Sequence, residues 1–264
     1  MHKLTILVIT MLLAGCTSQT EEPDTNTENA ALTEQELPPN TLSELEKEQG
    51  WQLLFDGETT DGWRKVYEEE FPSEGWIVED GVLGVEASDG ERAGGAGSIV
   101  TEQQFSDFEL QLEVKLTEGA NSGIKYYVVE NPDFFEGDPA GRGIGLEFQI
   151  LDDANHPDAK NGVNGNRTIG SLYDLIPADK DKKVNPVGEW NKVRLVSRDN
   201  HVEHWLNGMK VLEYERGSDA FRALVDKSKY HGYEGFGLAE QGHILLQDHG
   251  DKVSYRNIKI RTFE

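Results

Sequence analysis

The amino-acid sequence predicts an all-β fold, a two-sheet antiparallel β-sandwich of the jelly-roll type with long polar loops and little helix. Short segments in which apolar and polar residues alternate recur from Trp51 onward, and this period of two is typical of half-buried strands. Turn signals separate several of them, including Asp80-Gly81 and Asn207-Gly208. Helical spacing is scarce, and its best example is residues 218–230, where Ser218 can cap a helix.

Two strand segments differ in the face that they turn outward. FELQLEVKL, residues 108–116, alternates apolar side chains with residues of both charges, and this second face predicts ordinary solvated surface. GLEFQILDD, residues 145–153, places Glu147 and Gln149 outward before it enters a polar loop. Further strands are predicted at residues 75–86, 121–130, 189–197, 201–215, 242–248 and 252–263, and functional loops at 131–143 and 152–170.

Size and charge limit the classes of protein. The chain has 264 residues, of which 36% are hydrophobic, and this suffices for one sizeable β domain. Lys and Arg total 25 against 49 for Asp and Glu, so the formal net charge is −24. Such an acidic surface repels nucleic acid and anionic lipid, and we expect neither as a ligand.

The N-terminus predicts export. Residues 1–16, MHKLTILVITMLLAGC, combine a positive start, a short apolar run and a small-residue cleavage site that ends in cysteine. This resembles a bacterial lipoprotein signal, in which Cys16 becomes lipidated. Because Cys16 is the single cysteine of the chain, the mature domain has no disulfide and no thiolate metal site. We expect a protein anchored by lipid to a bacterial membrane, on its periplasmic or cell-surface side.

The remaining chain divides into a tether and a folded domain. Residues 17–49 are acidic and nearly free of aromatic residues, which predicts a disordered tether with a short helix near residues 41–49. Residues 50–264 form the predicted jelly-roll domain.

Three of the strands carry outward groups that suit a sugar. A cation, a carboxylate, amides, an imidazole and an aromatic ring can bind hydroxyls, stack on a sugar ring and move a proton. Alternation does not show that these strands are neighbours, and a cation opposite a carboxylate is equally typical of a cross-strand ion pair on a wet face. These outward groups are Lys125 and Tyr127, Glu147 and Gln149, and Gln247 and His249.

Trp205 and His204 need separate interpretations. Trp205 lies next to a turn, and among the tryptophans it is the better candidate for stacking on a sugar. Its neighbour His204 is expected to be a packed histidine rather than a ligand.

Eight segments in chain order carry a resemblance to a known family. They are WQLLFDGETTDGW, WIVEDGVL, FELQLEVKLTEGANSGIKYYV, GLEFQILDD, GSLYD, GEWNKVRL, HVEHWLNGMKV and GHILLQDHGDKVSYRNIKI. Together they resemble the bacterial 3-keto-disaccharide hydrolase family, which is associated with 3-keto-glucoside 1,2-lyase and 3-keto-2-hydroxyglucal hydratase activities. The resemblance covers residues 50–264 and implies a concanavalin-like jelly roll.

The resemblance also implies a reaction. A ketone at C3 of a glucoside acidifies the C2 proton, so a base can remove it and the enolate can expel the C1 substituent by β-elimination. A general acid protonates the departing oxygen, and water then adds to the enone. The reaction needs a base, an acid and a cation or metal beside the enolate oxygen, and it needs no nucleotide.

Roles for single residues are our hypotheses within this resemblance. Glu147 or Asp152 would be the base, His249 or His156 the acid, and Lys125 the enolate-stabilising cation. A divalent metal held by Glu, Asp and His side chains is the alternative to Lys125. Hydroxyl groups would be held by Asn121, Gln149, Tyr173 and Gln247, and the ring would stack on Trp205 or Tyr127.

The expected partners are a 3-keto-glucoside substrate and, functionally, a dehydrogenase that makes the 3-keto sugar. Two other functions stay open on the sequence. The same sandwich serves non-catalytic carbohydrate-binding modules, and a glycoside hydrolase would use two carboxylates on facing strands. A shallow aromatic platform would indicate binding, whereas Glu147, Lys125 and a histidine converging in a buried site would indicate an enzyme.

Overall fold

The computed structural model describes residues 37–88, 96–130, 143–233 and 235–263. The signal segment, Cys16 and most of the tether lie outside these residues, as does most of the loop predicted at 131–143, so these remain predictions. Within the described ranges, no helix is both long enough and apolar enough to span a membrane.

The larger sheet has eight strands within the described chain, all paired antiparallel. Its strands are β1 (Gln52–Leu53), β3 (Trp76–Glu79), β4 (Val82–Val85), β6 (Phe108–Leu116), β9 (Trp190–Arg198), β10 (His201–Leu206), β11 (Met209–Glu215) and β13 (Val253–Thr262). The spatial order is β11-β10-β9-β6-β13-β4-β3, and β1 pairs with β13. The non-sequential order shows that the chain crosses between sheets repeatedly, as in a jelly roll.

The smaller sheet has five strands in the described chain, in the order β2-β5-β12-β7-β8. Their bounds are β2 (Trp63–Lys65), β5 (Ile99–Thr101), β7 (Asn121–Val129), β8 (Ile144–Leu151) and β12 (His243–Leu246). They too pair antiparallel, and β7 lies between β12 and β8. The predicted all-β sandwich is confirmed.

The core fills the space between the sheets. The alternating apolar side chains of β6 lie in it, as do Ile124 and Tyr126 of β7 and Leu146, Phe148 and Ile150 of β8. This leaves Glu147 and Gln149 on the outer face of the smaller sheet, as the alternation in GLEFQILDD predicts.

The core contains a chain of polar groups that fixes a histidine. The Tyr126 hydroxyl lies 2.8 Å from His204 Nε2 and 2.7 Å from the Tyr214 hydroxyl. His204 Nδ1 lies 3.0 Å from the carbonyl oxygen of Gly170, which can only accept, so Nδ1 carries the proton. Burial lowers the pKa of His204 to about 3. His204 is therefore a neutral core residue, as predicted.

Two short helices begin where they are predicted, but the second ends at Val225, five residues before its predicted end. α1 (Glu44–Glu48) begins at Ser43 with a capping box, and α2 (Asp219–Val225) begins at Ser218, whose side chain accepts from Phe221 N–H. The compact unit starts at Leu37, earlier than the boundary expected at residue 50. Asn40 explains this extension, because it exchanges hydrogen bonds with Asn257 through the backbone N–H groups and side-chain oxygens of both residues.

The outer face of β6 differs from the prediction of plain solvated charge. Glu109 is 3% exposed, and Arg194 and Arg261 bind its two carboxylate oxygens at 2.5 and 2.6 Å. Glu113 pairs with Arg256 at 2.7 Å. The arginines come from neighbouring strands β9 and β13, which the alternation within one strand could not reveal.

Candidate active site

The two strands that carry the candidate residues are neighbours. Lys125 of β7 lies directly opposite Glu147 of β8, and Gly123 lies opposite Gln149. Although these positions face away from the core, Lys125 is 7% and Glu147 5% exposed. The pair is therefore not an ion pair on a wet face. Protein covers this part of the outer face, and it lowers the local dielectric around both groups.

The position of Glu147 depends on the space beside Gly123, which has no side chain, and on the side-chain amide of Gln149. A Cβ atom on Gly123 would lie 2.5 Å from Glu147 Oε1, so the carboxylate occupies the space that glycine leaves free. Hydrogen bonding orients the Gln149 amide with its nitrogen toward Glu147, where it donates to Oε1 at 2.9 Å and to the Ser122 carbonyl at 3.2 Å. This arrangement fixes one carboxylate oxygen.

The neighbouring polar groups bring a cation and further amides to the same face. Lys125 Nζ donates to the Gly143 carbonyl at 3.0 Å, which fixes the ammonium on the β8 side. The side-chain amide of Asn121 lies 3.3 Å from that of Gln149. The backbone N–H of Gln247 donates to the carbonyl of Gly123, next to the carboxylate. All three predicted amides thus border the Lys125–Glu147 pair.

Tyr173 lies at the edge of the site because its segment extends the sheet. Its backbone N–H donates to the Glu147 carbonyl at 3.0 Å, and Leu172 bridges to Phe148. Its hydroxyl donates to Asp158 Oδ2 at 2.8 Å. Burial, this hydrogen bond and the charge of Glu147 raise the pKa of Tyr173. Tyr173 is accordingly a neutral residue beside Glu147, in agreement with its predicted place.

An ion-pair network holds the loop around Tyr173. Arg167 binds Asp158 at 2.8 Å and Asp174 at 2.7 Å. Although burial opposes the shift, hydrogen bonds from Tyr173 and Arg167 lower the pKa of Asp158. The network fixes the loop that carries Tyr173 against the sheet.

Lys229 joins the site from the turn after α2. Its backbone N–H donates to Asp174 Oδ2 at 2.9 Å. Its ammonium lies 4.1 Å from the ring centre of Tyr173 and 5.0 Å from that of Tyr230. The sequence did not single out Lys229, because residues 218–230 were interpreted as one helix, whereas α2 ends at Val225.

The two predicted histidines lie together at one end of the site. The His156 and His249 rings are 6.3 Å apart and nearly perpendicular. His156 Nδ1 accepts the backbone N–H of Asp158 at 3.1 Å, so in the neutral ring Nε2 carries the proton. His156 N–H also donates to the Asp152 carbonyl, which ties this pair to the loop after β8.

Asp152 organises that loop through its carboxylate group. One carboxylate oxygen accepts from Gly119 N–H at 2.8 Å and Asn155 Nδ2 at 2.7 Å, and the other accepts from Ala154 N–H at 3.1 Å. Although burial opposes the shift, these bonds lower the pKa of Asp152. Both carboxylate oxygens of Asp152 are thus occupied by donors from the surrounding loops.

Tyr127 does not face the site, contrary to its predicted role as a stacking residue. A register shift after Tyr126 and a positive φ of 53° turn its ring into the core. There its hydroxyl lies 2.8 Å from Ser197 Oγ, and the Arg216 guanidinium lies 3.7 Å from the ring centre.

Trp205 is also wrong as a stacking residue, because β10 belongs to the larger sheet. Its ring packs against Arg194 at 4.8 Å, and its indole N–H donates to Glu203.

The same outer face holds the one group in the described chain with metal-ligand spacing, His201, Glu203 and Glu213, whose ligand atoms lie within 4.8 Å of one another. Lys210 already bonds both carboxylates, at 3.1 and 2.5 Å. This group lies in the larger sheet, on different strands from Glu147.

The sandwich and its buried polar site on the outer face of the smaller sheet define a class, that of jelly-roll proteins with a ligand-sized polar site on one sheet. Comparison with known proteins makes this specific. Residues 50–261 match the family model described as the 3-keto-alpha-glucoside-1,2-lyase-like domain. A 3-keto-disaccharide hydrolase of Bacteroides thetaiotaomicron is 36% identical over 232 residues, which cover 81% of this chain and 79% of that protein.

Solved structures agree in fold. A protein of Parabacteroides distasonis, provisionally described as a glycosyl hydrolase, superposes with a TM-score of 0.74 at 32% identity, over 86% of this chain and 100% of that chain. A second protein of the same organism and description gives a TM-score of 0.58 at 30% identity, over 81% and 99% of the two chains. The chain belongs to the 3-keto-disaccharide hydrolase family of carbohydrate-active enzymes.

Proposed function

We propose that this protein cleaves 3-keto-glycosides by β-elimination across C1 and C2, and that water adds to the resulting 3-keto-2-hydroxyglucal to complete a net hydrolysis. The observation that carries the proposal is the buried Lys125–Glu147 pair, a cation directly opposite a carboxylate that an amide holds in place. Family membership supports the substrate class.

Glu147 is the base in this proposal. Gln149 fixes one of its oxygens, which leaves the other to take the C2 proton. Lys125 lies opposite and offers its positive charge to the enolate oxygen that develops at C3. The low dielectric of a covered site strengthens this interaction. Asn121, Gln149, Gln247 and Tyr173 border the pair and would bind hydroxyls of the sugar.

His156 and His249 lie further along the sheet and would contact the second sugar unit of a disaccharide. The five residue steps from Glu147 to Asp152 span about 16 Å at the usual rise of a strand, and the histidines are tied to the loop that begins there. We place substrate oxidation in a separate dehydrogenase, since the sequence has no nucleotide-binding motif. Export and a lipid anchor at Cys16 are further parts of the proposal, supported by residues 1–16.

The test is turnover of a 3-keto-glucoside in deuterium oxide, followed by NMR. The wild-type protein should release the aglycone and incorporate deuterium at C2, and Glu147→Gln should lower both rates by at least about 10²-fold. Glu113→Gln, on the larger sheet, is the matched control and should keep the wild-type rate. A wild-type rate for Glu147→Gln would remove the base assignment. Saturable binding without turnover by the wild type would identify a carbohydrate-binding module instead.

A second experiment, turnover in the presence of a chelator, tests whether a metal rather than Lys125 stabilises the enolate. Turnover that is unchanged by EDTA supports Lys125 as the enolate-stabilising cation. Activity that EDTA abolishes and a divalent ion restores would assign that role to a metal.

A further inference from the structure

Elimination needs an acid close to the base. The C2–H and C1–O bonds that break are on adjacent carbon atoms, so the groups that take the proton and give one must reach neighbouring positions on the sugar. A cationic side chain on an element that contacts the surroundings of Glu147 is therefore a candidate for the acid.

Resting on the proposed function, we infer that Lys229 is the general acid that protonates the departing C1 oxygen. Its ammonium lies against the ring of Tyr173, whose backbone N–H is bonded to the carbonyl of Glu147. Among the described residues, the ammonium of Lys229 forms no ion pair or hydrogen bond, so its protons are available to a ligand. It belongs to a different segment from Lys125, the turn after α2.

Contacts within the protein fix the position of Lys229 before a ligand binds. Asp174 accepts its backbone N–H and is itself bound by Arg167, so the turn after α2 is attached to the loop that carries Tyr173. The Tyr230 ring, next in the chain, stacks on Phe236 with the ring centres 4.0 Å apart. Both ends of the short turn are thus anchored, and the lysine stem is left to reach toward the site.

The surroundings make Lys229 a stronger acid than a solvated lysine. Although the residue keeps exposed surface, the protein removes water from its ammonium, and this lowers the pKa of Lys229. Lys125 and Arg167 lower it further, while Glu147 and Asp174 oppose them. A lysine whose pKa lies nearer to the working pH gives up its proton more readily in the transition state.

The proton balance of the step closes. Glu147 takes the C2 proton and becomes a neutral acid, the electron pair forms the double bond between C1 and C2, and the C1–O bond breaks. Lys229 gives its proton to the departing oxygen, which leaves as an alcohol, and becomes a neutral amine. Transfer of one proton from Glu147 to Lys229 through solvent restores both residues.

The test uses two 3-keto-glucosides that differ only in leaving group. An alkyl alcohol needs protonation as it departs, whereas 4-nitrophenolate leaves without it. Lys229→Met should lower kcat/KM by about 10²- to 10⁴-fold for the alkyl glucoside and by less than about 10-fold for the nitrophenyl glucoside. Lys227→Met, two residues away on the exposed side of the same turn, is the matched control and should match the wild type on both.

Each outcome separates the two proposals. Equal losses of Lys229→Met on both substrates would show a structural role, and no loss on either would remove Lys229 from the reaction; both results overturn the inference while the elimination itself stands. Added ethylamine should also restore activity of Lys229→Ala on the alkyl glucoside. It would not restore the activity of a misfolded variant. If the wild type turns over neither substrate, the proposed function fails, and the role of Lys229 fails with it.

Discussion

Glu109 and Glu147 are both glutamates at outward positions of a strand, and both are almost fully buried, with 3% and 5% of their surface exposed. Glu109 is covered by Arg194 and Arg261, which bind both of its oxygens. Glu147 is held through one oxygen by Gln149, and a glycine leaves space beside it. The two carboxylates are thus buried to a similar degree, but both oxygens of Glu109 are bound by arginines from its own sheet.

The comparison shows what distinguishes scaffold from site on two faces of similar composition. On the larger sheet, neighbouring strands supply arginines that pair with Glu109 and Glu113. On the smaller sheet, the groups above the strands come from separate loops, and they include a tyrosine and a lysine rather than a guanidinium. A carboxylate surrounded in this way can exchange a proton with a ligand.

The largest difference in kcat is expected between matched lysine substitutions on the outer faces of the smaller and the larger sheet. Lys125→Met should lower kcat by about 10²- to 10³-fold with a small change in KM, because Lys125 acts on charge that develops in the transition state. Lys115→Met, which removes an ammonium 4.7 Å from the Trp190 ring on the larger sheet, should leave kcat unchanged. Steady-state kinetics of both variants measures this. Equal effects would show that the two faces do not differ in function.

A smaller effect, on stability alone, is expected for Glu109→Gln. Because the change leaves two arginines without their partner, the free energy of unfolding at pH 7 should fall by about 2 kcal/mol, with turnover retained. Burial opposes the shift, but hydrogen bonds from Arg194 and Arg261 lower the pKa of Glu109 below its ordinary 4.5.

The pH dependence of this effect follows from the lowered pKa. The stability that Glu109 contributes is present above pH 4.5 and is lost as the pH falls through the lower folded pKa. Urea unfolding at pH 7 and pH 3 should therefore show a smaller difference between wild type and variant at pH 3. A difference that grows on acidification would contradict the assigned ion pair.

The smallest effect on activity is expected for Trp205→Ala. The tryptophan packs against Arg194 and Lys210 on the larger sheet, away from Glu147. Turnover and KM of the 3-keto-glucoside should stay within about twofold of the wild type, since surface changes remote from a site have small effects. A large increase in KM would return Trp205 to the sugar site.

The sequence was sufficient to predict which face of a strand a residue occupies, but not which strands lie next to one another. Alternation correctly placed Glu147 and Gln149 outward, since a period of two requires no knowledge of the partner strand. It could not assign β10, and with it Trp205, to the larger sheet, because pairing is set by the whole topology. Tyr127 was misplaced because a register shift reverses the alternation, and no residue type in NSGIKYYVV signals it.

The site was predicted in part for the same reason. Lys125, Glu147, Asn121 and Gln149 lie on strands, where their direction follows from spacing. Asp152 and Lys229 lie in loops, where direction depends on caps and on contacts across the chain. The bonds from Gly119 to Asp152 and from Lys229 to Asp174 join residues 33 and 55 positions apart, which local pattern does not specify.

Gly123 links two positions of the sequence that could otherwise vary independently. A methyl group at residue 123 would overlap the carboxylate of Glu147. A residue larger than glycine at 123 is therefore incompatible with Glu147 in its present position. Across homologous sequences, glycine at 123 should accompany glutamate at 147, and a bulky residue at 123 should accompany a shorter or uncharged one. Covariation of this pair therefore gives a way to sort relatives that keep the base from those that keep only the fold.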